Sequence, residues 1–102
     1  MNYLENLFGL SGKCAVVIGA TGELCGAMAE GLAGAGAYVY VIGRNPEKGE
    51  ERLRRIREIG GEGEFLACDV SSKDELEGLR DAILADRPGV DVLVNGAGII
   101  NR

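Results

Sequence analysis

Four short apolar runs rich in β-branched residues recur about every 25 residues: Cys14 to Ile18, Tyr38 to Ile42, Glu64 to Ala67 and Val92 to Val94. A stretch with helical periodicity separates each run from the next. Strand and helix therefore alternate with short connections, which predicts an α/β chain with a parallel sheet and right-handed crossovers. The runs are nearly all apolar, as strands are when helices cover both faces of the sheet.

The first helical pattern spans about Glu23 to Ala35, with Leu24, Met28 and Leu32 at i, i+4 and i+8 and Gly36 placed to end it. The second opens at Asn45-Pro46, an N-cap residue followed by proline, and carries Leu53, Ile56 and Ile59 on one face. Glu50 with Arg54 and Glu51 with Arg55 form favourable pairs on its exposed side, and Gly60-Gly61 stops it. The third begins with the capping box Ser72-Lys73-Asp74-Glu75, buries Leu76, Leu79 and Ile83, and closes at Arg87-Pro88-Gly89.

At 102 residues the chain fits one domain. Its net charge of −5 leaves no electrostatic footprint for nucleic acid or an anionic membrane surface. Three cysteines, Cys14, Cys25 and Cys68, with no Cys-x-x-Cys pair and no histidine, argue for reduced thiols in a cytoplasmic protein and against zinc. The leader, residues 1 to 13, has only a short apolar patch (Leu4, Leu7, Phe8, Leu10) and no basic start, so it reads as a segment packing on the domain, not a signal peptide or membrane span.

Gly19 and Gly22 sit where the first strand should become the first helix. Such a junction leaves unpaired backbone N–H groups and the positive end of a helix dipole facing one point, which suits a phosphate. Glycine alone at a strand-to-helix turn is also explained by steric necessity. A P-loop is excluded, because no Gly-Lys-Ser/Thr follows at the required distance. In a sheet of this kind the ligand crevice lies beyond the carboxyl ends of the strands. Gly43-Arg44, Asp69 and Asn95 to Gly98 all fall at such ends, so four stretches would line one crevice.

The segments "LSGKCAVVIGATG", "CDV" and "VDVLVNGAG" stand in order and at spacings that resemble the short-chain dehydrogenase/reductase family. The likeness runs over essentially the whole chain. It implies a three-layer Rossmann-like half-domain, β1-α1-β2-α2-β3-α3-β4 with strand order 3-2-1-4, that binds a nicotinamide dinucleotide. Carried over by position, the cofactor-binding residues would be Gly19, Thr21, Gly22, Glu23, Leu24, Arg44, Asn45, Asp69, Val70, Asn95, Gly96 and Ala97. Asp69 would bond the adenine amino group beside Val70, or it simply caps the loop before the third helix. Asn95 would hold the end of the fourth strand, with Gly96 and Ala97 letting the backbone approach the ribose.

The chain departs from the family's Thr-Gly-x-x-x-Gly-x-Gly turn: Ile18 replaces the threonine, Glu23 the second glycine and Cys25 the third. Glu23 either competes with a pyrophosphate for first-turn N–H groups or is an ordinary water-facing first-turn acid. "GELCGAMA" resembles sugar-acid (mannonate/fructuronate-type) oxidoreductases. Cys25 lies at a helix N-terminus near the expected phosphate site, and Gly96 replaces the family's second asparagine. At the end of the second strand an acid would accept from a ribose 2′-OH, whereas a cation would pair with a 2′-phosphate. The sequence has Gly43 and then Arg44, which favours NADP over NAD, with Lys48 as a weaker second cation; the alternative is an ordinary exposed loop arginine.

The family's proton donor is a tyrosine with a lysine four residues on. Here Tyr3, Tyr38 and Tyr40 are followed at that distance by Leu7, Ile42 and Arg44. The chain is therefore expected to be the N-terminal, NAD(P)-binding portion of such a reductase, truncated after the fourth strand and inactive alone. Two other readings stay open: a stand-alone dinucleotide sensor, and a structural module that docks a partner. Truncation would leave the edge Asp91 to Val94 unpaired, inviting homo-oligomerisation or association with a C-terminal half.

Overall fold

A strand flanked by other strands and covered on both faces needs apolar residues at consecutive positions, and Cys14–Ile18 (β1) supplies them, all five buried. The structure, a computed structural model, describes residues 9–19, 22–87 and 89–96. After β1 come α1 (Glu23–Gly34), β2 (Tyr38–Gly43), α2 (Pro46–Glu58), β3 (Glu62–Ala67), α3 (Lys73–Asp86) and β4 (Val92–Asn95). The strands form one parallel sheet in the order β3-β2-β1-β4. The fold class and strand order expected from the sequence are those observed.

Alternation along β1 and β2 divides the core into two layers. Ala15, Val17, Val39 and Val41 face α1 and α2, where they meet Ala29, Ala33, Leu53 and Ile56. Cys14, Val16, Ile18, Tyr40 and Ile42 face the other way, toward Ile83 of α3 with Leu76 and Leu79 packed beside it. At the edges β3 is half-buried, and β4 alternates half-buried with exposed residues.

Helix α1 does not sit as its periodicity suggests. Leu24 is 70% exposed and Met28 43%, while Cys25, Gly26, Ala29 and Ala33 form the buried face. Small side chains let the helix approach the sheet closely, and that gain outweighs burying two larger residues at greater separation. The missing Cβ of Gly26 also admits the guanidinium of Arg52, which pairs with Glu30 and donates to the carbonyl of Gly22 at 3.3 Å.

Helix α2 buries Leu53 and Ile56, but Ile59 falls at the C-cap and is 54% exposed. Of its two expected pairs, Glu51–Arg55 forms at 3.5 Å, whereas Arg54 turns to Glu51 and Glu58 instead of Glu50. In α3 the capping box is half formed. Ser72 Oγ accepts from Glu75 N–H at 3.3 Å, but the Glu75 carboxylate accepts from Asp69 N–H at 2.9 Å. The N–H of Ser72 is already donated to the Asp69 carbonyl at 2.9 Å.

Two polar groups fix the far end of the sheet. Asp91 accepts Cys14 N–H on its carboxylate at 2.8 Å and donates its own N–H to the Cys14 carbonyl at 2.9 Å, fastening the start of β4 to β1. Tyr40 donates to Asp86 at 2.6 Å and Tyr38 to Glu64 at 2.9 Å, with the Arg87 guanidinium 3.8 Å over the Tyr38 ring. Burial, then the bond to Asp86, pushes the Tyr40 phenol up to about 12.

Candidate functional site

Parallel strands all end on one side of the sheet, and the chain leaves β1 for β2 in one direction and reaches β4 in the other. A crevice opens where strand order reverses. Here it is a cleft of about 620 Å³ lined by the ends of all four strands and the start of α1. Strand β1 contributes Ile18 and Gly19, β2 Ile42, Gly43 and Arg44, β3's exit Cys68 to Ser71, and β4's exit Gly96.

The turn into α1 is built by backbone bonds. Gly19 has φ +87°, a conformation that favours glycine, and donates to the Ile42 carbonyl at 2.9 Å. Gly22 donates to the Gly19 carbonyl at 3.0 Å and is the N-cap of α1. Both expected glycines thus shape the turn, Gly19 spending its N–H on β2 and Gly22 its own within the turn. Gly22 has no side chain to cap the helix, whereas Asn45 caps α2 and Ser72 caps α3. The first-turn N–H groups of α1, from Glu23 to Cys25, are those that a helix cannot satisfy internally. They stand at the cleft together with the positive end of the helix dipole.

On the opposite wall Asp69 Oδ1 accepts both Ser71 N–H at 3.0 Å and Ser71 Oγ–H at 2.6 Å. These bonds, helped by the charge of Arg44, hold its carboxyl below the usual range, so it is an acceptor at neutral pH. Arg44 is exposed and also lines a neighbouring hollow with Asn45, Pro46, Glu47 and Lys48 at the start of α2. Two cations therefore flank one helix N-terminus.

Of the residues expected at the site, the cleft brings together Gly19, Gly22, Glu23, Leu24, Arg44, Asp69, Val70 and Gly96. Asn45 is not in its lining; the side chain accepts Lys48 N–H at 3.2 Å. Asn95 is the last residue of β4, beside Ile18 in the ladder, and also stands outside the lining. Thr21 and Ala97 lie outside the described residues. The lining also holds Gly43, expected at the end of the second strand, and Cys25, expected near the phosphate site, and it adds Ile18, Ile42, Cys68 and Ser71. Most of these are the last residue of a strand or its neighbour, so the rule that ligands sit at strand carboxyl ends would have found them.

Among the described residues no group of His, Cys, Asp and Glu has the arrangement of a metal site, and no helix is long and apolar enough to cross a membrane. Burial raises the Cys68 thiol, with Glu75 and Asp69 adding to it, so it is a protonated wall residue at neutral pH.

The family model described as short chain dehydrogenase matches residues 13–102. An uncharacterized oxidoreductase, UxuB, of Bacillus subtilis (strain 168) is 42% identical over 89 residues, 87% of this chain and 32% of that protein. The chain thus spans about a third of the length of this curated relative. A metagenomic short-chain oxidoreductase solved with NADP superposes with a TM-score of 0.81 at 39% identity, over 82% of this chain and 38% of that one. A 3-oxoacyl (acyl-carrier-protein) reductase from Agrobacterium tumefaciens C58 with NADP bound gives a TM-score of 0.81 at 40% identity, over 88% of this chain and 34% of that one. Parallel topology, a cleft at the strand reversal and a family match over nearly all the chain agree: the protein belongs to the short-chain dehydrogenase/reductase family of oxidoreductases.

Proposed function

We propose that the 102 residues are the N-terminal, NADP(H)-binding portion of a short-chain reductase whose catalytic groups lie in a further portion. The observation that carries this reading is the start of α1. Its N-terminus has no side-chain cap, its first-turn residues line the cleft, and Gly19 and Gly96 bring two backbone segments to the same floor. A pyrophosphate would take the first-turn N–H groups of Glu23, Leu24 and Cys25. Adenine would lie toward Val70 and Asp69, whose carboxyl is held below its usual range and would accept from an amino group. Arg44, with Lys48 one helical turn on, would pair with a 2′-phosphate, which makes NADP the preferred cofactor over NAD. The bound nicotinamide would supply hydride transfer to or from a carbonyl substrate.

Neither described tyrosine serves as proton donor at this cleft. Tyr38 and Tyr40 are engaged with Glu64 and Asp86, and neither lines it. Hydride transfer by this chain alone is not expected. Kinship with sugar-acid (mannonate/fructuronate-type) oxidoreductases rests on the stretch Gly22 to Ala29 alone.

Calorimetric titration with NADPH and NADH tests the reading. NADPH should bind more tightly, and Arg44→Ala should weaken NADPH roughly tenfold or more, the worth of one charge-assisted bond, while leaving NADH unchanged. Equal binding of both nucleotides by the variant and the parent would remove Arg44 from the site.

One observation favours a second reading in which this portion docks a partner. Strand β4 closes the sheet on one side with Leu93 63% exposed. Association through that edge, with a C-terminal portion or a second copy, should appear in sedimentation equilibrium as a concentration-dependent mass that Leu93→Lys abolishes. A monomer at all concentrations, with no complex on adding a C-terminal portion, would remove this reading.

A further inference from the structure

Gly96 is glycine for space, not for backbone conformation, since its φ is not among the positive values of the described residues. A Cβ built on it would overlap Cys25 Sγ and stand 3.2 Å from the Ile18 carbonyl oxygen. The Gly96 N–H is donated to that same carbonyl at 2.9 Å, so the backbone here is fastened to the end of β1. From the other side, Cys25 is 8% exposed, belongs to the core cluster under α1 and lines the cleft. Its thiol fills the gap between the first turn of the helix and the exit of β4.

We propose that Cys25 is a positioning residue of the cleft: its Sγ is the spacer that sets the separation between the first-turn N–H groups of α1 and the backbone at Gly96. Volume that a side chain at position 96 would occupy is supplied from the helix instead. The pair acts as one unit, so a side chain at 96 is tolerated only when the sulfur is gone. With alanine at 25, a Cβ at 96 would meet the Cβ of residue 25 at 3.5 Å, an ordinary contact, leaving only the 3.2 Å approach to the Ile18 carbonyl, which a shift of a few tenths of an ångström relieves. The consequence for nucleotide affinity rests on the function proposed above; the spacing itself does not.

The test is a double-mutant cycle on the full chain with Cys25→Ala, Gly96→Ala and the pair. Gly96→Ala alone should lower Tm by about 4 °C or more, as a clash of roughly 1 kcal/mol would in a domain of this size, and the double variant should recover to within about 2 °C of Cys25→Ala. Amide resonances of Glu23, Leu24 and Asn95 should shift in Gly96→Ala without nucleotide and return in the double variant. A Gly96→Ala protein with parental Tm and parental resonances overturns the proposal, as does a cycle in which the losses of the two single variants simply add. If Gly96→Ala does not fold, a folded double variant supports the proposal and an unfolded one overturns it. NADPH affinity should fall about tenfold in Gly96→Ala and recover in the double variant. Coupled Tm and resonance changes in a parent chain that binds no NADPH would uphold the spacer and defeat only the cofactor reading.

Discussion

Asn45 Oδ1 accepts the backbone N–H of Lys48 at 3.2 Å, so the side chain is turned onto its own helix and away from the cleft. Asn45→Ala should cost about 1 kcal/mol of stability, the usual worth of an N-cap, in urea denaturation. The ratio of NADPH to NADH affinity should not change, because Arg44 and Lys48 keep their charges. A large loss of that ratio without loss of stability would make Asn45 a ligand-contacting residue.

Strand β3 passes close to β2 at Gly63, where a Cβ would run into the Val39 carbonyl. Backbone paired in a parallel ladder cannot yield as a side chain can. Gly63→Ala is expected to destabilise by about 3 kcal/mol, at the upper end of overpacking costs, read from the urea midpoint. An unchanged midpoint would mean that β3 slides relative to β2.

Stability should fall at alkaline pH. Burial and the bond to Asp86 raise Tyr40 from 10.0 in its ordinary state to about 12, so between those values the unfolded chain releases a proton that the folded chain retains. The unfolded state is then favoured as pH rises through that window, by roughly 2 to 3 kcal/mol when complete. Tyr38, raised by burial and by Glu64, adds to the same slope, while Arg87 opposes it. Denaturation at pH 9 and pH 11 should show the loss, and Tyr40→Phe should flatten it. An equal slope in Tyr40→Phe would place the titration elsewhere.

The Arg52 guanidinium lies over Gly26, pairs with Glu30 and donates to the Gly22 carbonyl. Its side chain is 11% exposed, so Arg52→Ala would leave the half-buried Glu30 short of its charge partner. A loss of about 2 kcal/mol or more is expected in urea denaturation, against a few tenths for Arg54→Ala on the exposed face of the same helix. Equal effects of the two substitutions would show that the α1–α2 link carries no special weight.

What the sequence made legible follows from how local each signal is. Strand positions and the fold class came from apolar runs, and the cleft from residues at strand ends; both depend on chain order alone. The inner face of α1 did not, because periodicity weights large apolar residues, whereas packing distance selected Cys25, Ala29 and Ala33 over Leu24 and Met28. The Ser72 box was half legible: its first bond is local, but the second partner of Glu75 lies across the loop at Asp69. The demand for glycine at 96 was hidden for the same reason, since Cys25 is far from it in sequence and against it in space.

The central claim, a dinucleotide seated at the carboxyl ends of the strands, is tested most directly by following backbone amide resonances during NADPH titration of the chain. The account predicts saturable shifts at Glu23, Leu24, Cys25, Arg44, Val70 and Gly96, with Tyr38, Asp86 and Asp91 at the opposite end unmoved. Shifts confined to other surfaces, or none at saturating NADPH, would contradict it.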